Sequence, residues 1–275
     1  MYSQLEITTR CNFSCWYCAG RAMPQQDMAW STFTAIVDAI AQPGGTVSLQ
    51  GEGEPTLHPR FWDMAQYVRG KGHVPYSIVN GSRIDAGRTA QMFPRIGISV
   101  DTLDAGIAEQ IGRHNLPKVL ANLDALCAAM GPQRIVVMTV DLGQPLAALK
   151  AWVRQRGFGS HIVQPLMRKG DYAKAYPQAQ PQPVTWHAKP LGAAPGPQTC
   201  QFLHQDAMRY YNWSGLALPC CFIKDTQGIE SIEGLRSLLA QGHVPAGCAG
   251  CRELKPVALT TRIRLTKAQG PCHEI

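Results

Sequence analysis

The N-terminal segment carries three cysteines at a spacing that indicates an iron–sulfur site. Cys11, Cys15 and Cys18 follow the pattern C-x3-C-x2-C, and Tyr17 stands directly before the last of them. Three thiolates on one short loop can ligate three irons of a [4Fe–4S] cube, which leaves the fourth iron without a protein ligand. An iron with an open site can bind a small molecule and act on it. We therefore predict a catalytic iron–sulfur cluster at this loop.

Two other uses of clustered cysteines fit the sequence less well. Zinc sites usually pair C-x2-C elements, whereas this triad stands alone. Disulfides need an oxidising compartment, and residues 1–10 contain no basic segment followed by the apolar run of a secretory signal. We therefore expect a cytoplasmic protein whose N-terminal cysteines bind metal.

The composition is that of a folded enzyme with one large domain, or one large and one small domain. The chain has 275 residues, of which 45% are hydrophobic and 16% are charged. No run approaches the about 18 apolar residues that a membrane-spanning helix needs, so no membrane partner is expected. The net charge is +7, but basic residues are not interleaved with aromatic ones as on RNA-binding surfaces. Nucleic acid is therefore not an expected partner.

The first 170 residues alternate between short β-rich runs and amphipathic helical stretches. The strand candidates are residues 2–8, 46–50, 74–80, 95–101, 134–141 and 161–166. The helix candidates are residues 31–41, 59–70, 116–130 and 145–156, with a weaker one near 88–93. Strands that alternate with helices predict a parallel sheet with right-handed crossovers. We expect an α/β fold, an open partial (β/α)6 TIM barrel with a small C-terminal cysteine-rich module.

The amino-acid composition of the rest of the chain changes twice, at about residues 171 and 200. Residues 171–199 are rich in Pro, Gly and Gln, which continue neither helix nor strand, and they predict a linker or long loop. Residues 200–275 contain six of the ten cysteines. We therefore divide the chain into a barrel at 1–170, a linker at 171–199, and a cysteine-rich module with a basic tail at 200–275.

The N-terminal triad, with Tyr17 before its last cysteine, resembles the C-x3-C-x-aromatic-C signature of the radical SAM superfamily. The resemblance implies that S-adenosylmethionine (SAM) binds the open iron of a [4Fe–4S] cluster held by Cys11, Cys15 and Cys18. One electron from an external reductant of the flavodoxin or ferredoxin type would then cleave SAM to a 5′-deoxyadenosyl radical. That radical would abstract a hydrogen atom from the substrate. Tyr17 would pack near the adenine.

Further motifs of this family are found at the ends of later predicted strands. Gly-Glu-Gly-Glu-Pro at 51–55 is similar to the family's GGEP motif, with Glu52 in place of the first Gly. The resemblance implies a set of SAM-binding residues beside Tyr17, namely Gly53, Glu54, Asn80, Ser99 and Asp101. All of them lie at or near the carboxyl ends of predicted strands, where barrel folds bind ligands. Candidates for contacts with SAM or an anionic substrate on the same side are Arg113, Gln164 and Arg168.

The late cysteines form a second pattern. Cys200 and Cys220 stand in a C-x14-G-x4-C arrangement around Gly215, and Cys248 and Cys251 follow as C-x2-C. This resembles the opening of the SPASM domain, and the small number of later cysteines resembles its shortened form, the Twitch domain. The resemblance implies one auxiliary [4Fe–4S] cluster with these four cysteines as ligands. A structural zinc site on the same cysteines is the alternative, and Cys221 or Cys272 could replace one ligand.

Two clusters favour a net oxidation, because a fully ligated cluster can accept the electron that a substrate radical must lose. The whole pattern resembles the Twitch dehydrogenases of aminocyclitol antibiotic biosynthesis, which implies an oxidoreductase of natural-product metabolism acting on a small molecule. A maturase that cross-links, epimerises or forms a thioether in a ribosomally made peptide is the alternative. A non-catalytic zinc or iron–sulfur binding module is a more distant one. No catalytic acid or base is assigned.

Overall fold

A computed structural model describes residues 2–40, 43–166, 196–203, 208–224 and 226–257. Its strands are β1 Tyr2–Leu5, β2 Thr46–Leu49, β3 Val74–Tyr76, β4 Ile78–Val79, β5 Ile96–Ser99, β6 Ile135–Asp141, β7 Ser160–Pro165, β8 Gln198–Cys200, β9 Arg209–Tyr211, β10 Ala217–Leu218 and β11 Leu254–Pro256. Its α-helices are α1 Trp30–Asp38, α2 Phe61–Gly70, α3 Ala86–Met92, α4 Ala105–Ile111, α5 Leu116–Met130, α6 Ala147–Arg156 and α7 Ile232–Ala240. Among the helices described, none combines the length and the hydropathy that a membrane-spanning helix requires.

Strands β1 to β7 form the parallel wall of a partial barrel. β1, β2 and β3 pair in that order, and β4, β5, β6 and β7 pair in theirs. Ser77 lies between β3 and β4 and joins the two sheets, because its hydroxyl donates to the Leu49 carbonyl at 2.7 Å and its carbonyl accepts from Gly97 N at 2.9 Å. β3 and β4 are thus the two halves of one predicted strand. The prediction of an α/β partial barrel is confirmed.

Strands β1, β2, β5 and β6 are largely buried and supply the barrel core, whereas the edge strand β7 has no buried residue. Leu5, Leu49 and Ile98 have no exposed surface, and they belong to one core with Phe33 of α1 and Leu123 of α5. Parallel strands that are covered by crossover helices have nearly continuous apolar sequences. For this reason the barrel strands could be predicted from the sequence.

One helix of the barrel was not predicted. α4 has the sequence Ala-Gly-Ile-Ala-Glu-Gln-Ile, which is too short and too poor in apolar residues for a clear helical period. It begins at Asp104, whose carboxylate accepts from Ile107 N, and it ends at Gly112 in the left-handed conformation. The connection that follows α4 supports the cysteine loop.

The C-terminal residues extend the barrel sheet at its β1 edge. β9 pairs with β1 in parallel, and β10 pairs with β9 as an antiparallel hairpin whose turn contains Gly215 at φ +89°. β8 and β11 form a second antiparallel pair, in which Cys200 lies opposite Leu254. Most of the predicted linker, Arg168, Cys272 and the part of the basic tail beyond residue 257 lie outside the described residues.

Candidate active site

The cysteine loop is held against the connection between α4 and α5. Ser14 N donates to the Gly112 carbonyl at 3.0 Å, and Trp16 N donates to the Ile111 carbonyl at 3.1 Å. A Cβ atom on Gly112 would lie 2.4 Å from the Ser14 carbonyl oxygen, so this close approach requires glycine. These backbone contacts with the end of α4 therefore fix the position of the cysteine loop and of its thiols.

The three thiols of the loop are partly or fully buried, and both burial and neighbouring groups shift their pKa values. Burial raises the pKa of Cys11, Cys15 and Cys18, and a neighbouring cysteine contributes to the increase at Cys11 and Cys18. Glu52 raises the pKa of Cys18 further, since one carboxylate oxygen lies 3.5 Å from its Sγ. Iron binding replaces the thiol protons, so a shielded group of three thiols is suited to a thiolate-ligated cluster.

The segment at 51–55 packs directly on the start of the cysteine loop. Glu54 N donates to the Arg10 carbonyl at 2.7 Å. A Cβ atom on Gly53 would lie 2.4 Å from the Thr8 carbonyl oxygen and 2.7 Å from that of Arg10. Both atoms belong to the backbone, so neither can turn away. Gly53 therefore allows the contact between the end of β2 and the loop.

We expect Gly53→Ala to displace the cysteine loop, because the new methyl group would overlap two backbone carbonyls. The variant should load less iron at the N-terminal site and bind SAM at least tenfold more weakly. Iron analysis and equilibrium binding of SAM would measure this. Gly87→Ala is the matched control, since Gly87 lies exposed on α3 and a Cβ atom there would approach only the Asp85 carboxylate, at 3.7 Å. That control should be neutral or stabilising by about 0.5–1 kcal/mol; normal iron loading by Gly53→Ala would contradict the packing argument.

Glu54 connects the ends of two strands. Its carboxylate accepts from Thr56 N at 3.1 Å and from the Thr56 hydroxyl at 2.6 Å, and its other oxygen accepts from Asn80 N at 2.6 Å. The side chain is buried, and burial raises its pKa. The structure thus assigns Glu54 a positioning contact with Asn80, while its contact with SAM stays a prediction.

Tyr17, Asp101 and Arg113 form a buried hydrogen-bonded group. Tyr17 Oη donates to Asp101 at 2.5 Å, Arg113 forms an ion pair with the same carboxylate, and Arg113 Nη2 donates to Tyr17 Oη at 2.8 Å. The other oxygen of Asp101 accepts from Val140 N at 2.7 Å. Asp101 therefore anchors the loop residue Tyr17 to the barrel. The predicted contacts of Tyr17 and Asp101 with SAM remain predictions.

Four predicted residues meet in one small cavity, which we call the strand-end cavity. It is lined by Asn80, Ser99, Asp101 and Arg113 together with Phe13 of the cysteine loop. Asn80 is also hydrogen-bonded to Asn12 at 3.0 Å. The sequence did not single out Asn12, because a loop asparagine carries no periodic or motif signal.

A larger cavity of about 280 Å³ lies between the barrel mouth and the C-terminal residues. We call it the central cavity. Its barrel side is lined by residues that include Tyr17, Cys18, Glu52 and Gln164, and its C-terminal side by Cys221, Phe222, Lys224 and Arg252. Gln164, predicted as a substrate or SAM contact, is thus placed together with one of the cysteines of the triad.

An ion pair crosses the central cavity, and sequence reasoning missed it. Lys224 Nζ lies 2.6 Å from Glu52 Oε1 and donates to the Cys221 carbonyl at 2.7 Å. Glu52 N donates to Glu6 Oε1 at 3.0 Å, and burial raises the pKa of Glu6. The sequence shows that Glu52 departs from the family motif, but no motif or spacing in the sequence relates Glu52 to Lys224.

The four predicted auxiliary ligands line one apolar cavity, which we call the thiol cavity. Its cysteines are Cys200, Cys220, Cys248 and Cys251. Burial is the main cause that raises the pKa of Cys200 to about 11, and the Cys220 and Cys251 thiols contribute. Four thiols around an apolar space match the donor set of an iron–sulfur cluster. In the described part of the chain, no three His, Cys, Asp or Glu side chains are grouped tightly enough to hold a single metal ion.

The adjacent cysteines Cys220 and Cys221 face different cavities. Cys220 lines the thiol cavity, whereas Cys221 lines the central cavity. Burial raises the pKa of Cys221 to about 12. The sequence-based choice of Cys220 over Cys221 as a ligand agrees with this placement, although it stays a prediction.

The family of the chain follows from its fold, its cysteine loop and its sequence. Residues 5–154 match the model of the radical SAM superfamily, which is more than half of the chain. The chain belongs to this superfamily. Its family chemistry uses SAM, a [4Fe–4S] cluster, a reductant and a substrate.

Two curated relatives show how far the sequence likeness extends. An S-adenosylmethionine-dependent nucleotide dehydratase of a Thermoplasmatales archaeon is 31% identical over 115 residues, covering 40% of this chain and 41% of that protein. The GTP 3′,8-cyclase 1 of Pseudomonas aeruginosa is 30% identical over 182 residues, covering 59% and 54%. The chain thus spans about half the length of these relatives or less.

Two solved structures share the fold. BtrN in complex with AdoMet and 2-DOIA has 14% sequence identity and a TM-score of 0.50, and the match covers 93% of both chains. SuiB of Streptococcus suis bound to S-adenosylmethionine has 10% identity and a TM-score of 0.53, covering 84% of this chain and 61% of that one. The similarity to BtrN therefore includes the C-terminal part as well as the barrel.

Proposed function

We propose that this chain is a radical SAM oxidoreductase that removes two electrons from a small polar molecule, converting an alcohol to a carbonyl compound. The observation that carries the proposal is the position of the central cavity. Cys18 of the SAM cluster loop lines one side, and Phe222 lines both this cavity and the thiol cavity. A substrate held there would be adjacent to both cysteine groups.

The proposed reaction needs both groups. The substrate would lose a hydrogen atom from its carbinol carbon to the 5′-deoxyadenosyl radical. It would then lose one electron to an auxiliary [4Fe–4S] cluster held by Cys200, Cys220, Cys248 and Cys251, and its hydroxyl proton to solvent or a base. These losses sum to two electrons and two protons. An external one-electron reductant of the flavodoxin or ferredoxin type would supply the electron that cleaves SAM.

The proposal also assigns the parts of the site. SAM would bind at Cys11, Cys15 and Cys18 with Tyr17, Gly53, Glu54, Asn80, Ser99 and Asp101 around it. Residues 1–170 would be the barrel and 200–275 the auxiliary-cluster module. The central cavity of about 280 Å³ is at the small end of ligand sites, which supports a small molecule over a peptide.

The test is anaerobic reconstitution with iron and sulfide, followed by reaction with SAM and a chemical reductant. We expect about eight irons per chain, as two [4Fe–4S] clusters require, and formation of 5′-deoxyadenosine. About four irons, or zinc in place of the second group of iron, would contradict the auxiliary cluster. Turnover of a peptide substrate, with neutral small molecules inactive, would favour a peptide maturase instead.

A further inference from the structure

Glu52 introduces a charge where the family motif has glycine, and the charge is paired inside the central cavity. The Glu52 and Lys224 side chains are only 17% and 8% exposed. Removing two charges from water offsets most of their attraction, so a buried ion pair contributes little to stability. Such a pair in a cleft is therefore a candidate for function rather than for folding.

Both members of the pair are held in place by contacts within the protein. Lys224 Nζ donates to the Cys221 carbonyl at 2.7 Å and lies 5.6 Å from the centre of the Tyr210 ring. The Glu52 backbone is fixed by its hydrogen bond to Glu6, whose side chain is fully buried. A preorganised donor and acceptor give a ligand a defined orientation with little ordering cost.

The charged groups that line the central cavity are one carboxylate and two cations. They are Glu52, Lys224 and Arg252, and Arg252 in turn lies 3.2 Å from the Glu253 carboxylate. Within the part of the chain that the structure describes, each cation of the lining thus has an acidic partner. An anionic ligand would gain no unpaired positive charge there, and it would lie close to the Glu52 carboxylate.

We propose that the Glu52–Lys224 pair is the recognition element of the central cavity, and that it selects a small uncharged polyhydroxylated molecule over the phosphate ester of the same molecule. The proposal rests on the proposed function. A hydroxyl can accept from the Lys224 ammonium and donate to the Glu52 carboxylate at once. A phosphate can accept from Lys224 only, and its charge is repelled by Glu52.

The experiment is calorimetric binding to the reconstituted, SAM-loaded protein. The probes are myo-inositol and D-glucose, each compared with its monophosphate ester. We expect at least one neutral probe to bind, and its ester to bind at least tenfold more weakly. Lys224→Met and Glu52→Gln should each weaken binding of the neutral probe at least tenfold, while Lys224→Arg should retain most of it.

Lys71→Met is the matched control, because Lys71 also pairs with a carboxylate, that of Asp38 at 2.7 Å, but lies on the outer surface of the barrel. It should leave binding unchanged. No binding of either neutral probe, tighter binding of an ester, or unchanged binding by Glu52→Gln would overturn the proposal. If Lys224→Met fails to load iron, the isosteric Glu52→Gln decides alone. Formation of 5′-deoxyadenosine without substrate and the iron content test the proposed function separately.

Discussion

Replacement of Cys18 by alanine is expected to abolish 5′-deoxyadenosine formation and to lower the iron content from about eight to about four atoms per chain. The remaining thiols of the loop, Cys11 and Cys15, cannot hold the cube at three corners. Without it, no open iron binds SAM. The loss of SAM cleavage should exceed a thousandfold, because the proposed auxiliary cluster has four protein ligands and would offer SAM no open iron.

The matched control for this prediction is Cys127→Ala. Cys127 lies on α5, where it packs against the barrel core away from the cysteine loop. Its replacement should leave both iron content and SAM cleavage unchanged, with a modest loss of stability. Iron analysis and chromatographic detection of 5′-deoxyadenosine measure both variants. Retention of SAM cleavage by the Cys18 variant would rule out the ligand assignment.

Replacement of Cys248 by alanine should distinguish the roles of the two proposed clusters. Cys248 is buried in the thiol cavity, so its loss should remove the auxiliary cluster and about four irons. SAM cleavage should continue, because the cysteine loop is intact. Formation of the oxidised product should fall at least a hundredfold, since the substrate radical then lacks a nearby electron acceptor. Iron content, 5′-deoxyadenosine and product are measured on one sample.

Cys221→Ala is the control for the Cys248 variant. Cys221 neighbours Cys220 in sequence, but it lines the central cavity and not the thiol cavity. Its iron content should therefore equal that of the unsubstituted protein. Iron loss in this variant would identify Cys221 as a ligand in place of Cys220. Full iron content in Cys248→Ala would contradict an auxiliary cluster at these cysteines.

The elements that could be predicted from the sequence are encoded by residues that lie close together in the chain. The C-x3-C-x2-C spacing lies within one loop, and each barrel strand is a short apolar run. Asp101 and Arg113 show the limit of such reasoning. Both were assigned to ligand contacts, but in the fold they form a buried ion pair that also binds Tyr17. Their pairing depends on how the α4–α5 connection packs on β5 and the cysteine loop.

By itself, the sequence determined the superfamily, the α/β barrel and the three N-terminal thiols, because local spacing and strand periodicity encode them. Only the tertiary structure placed β9 beside β1 and paired Glu52 with Lys224. It also placed around one cavity the four late cysteines that the sequence pattern had grouped as predicted ligands. These contacts join residues far apart in the chain. Long-range packing and charge pairing leave no periodic pattern in a single sequence, so they appear only when the chain is folded.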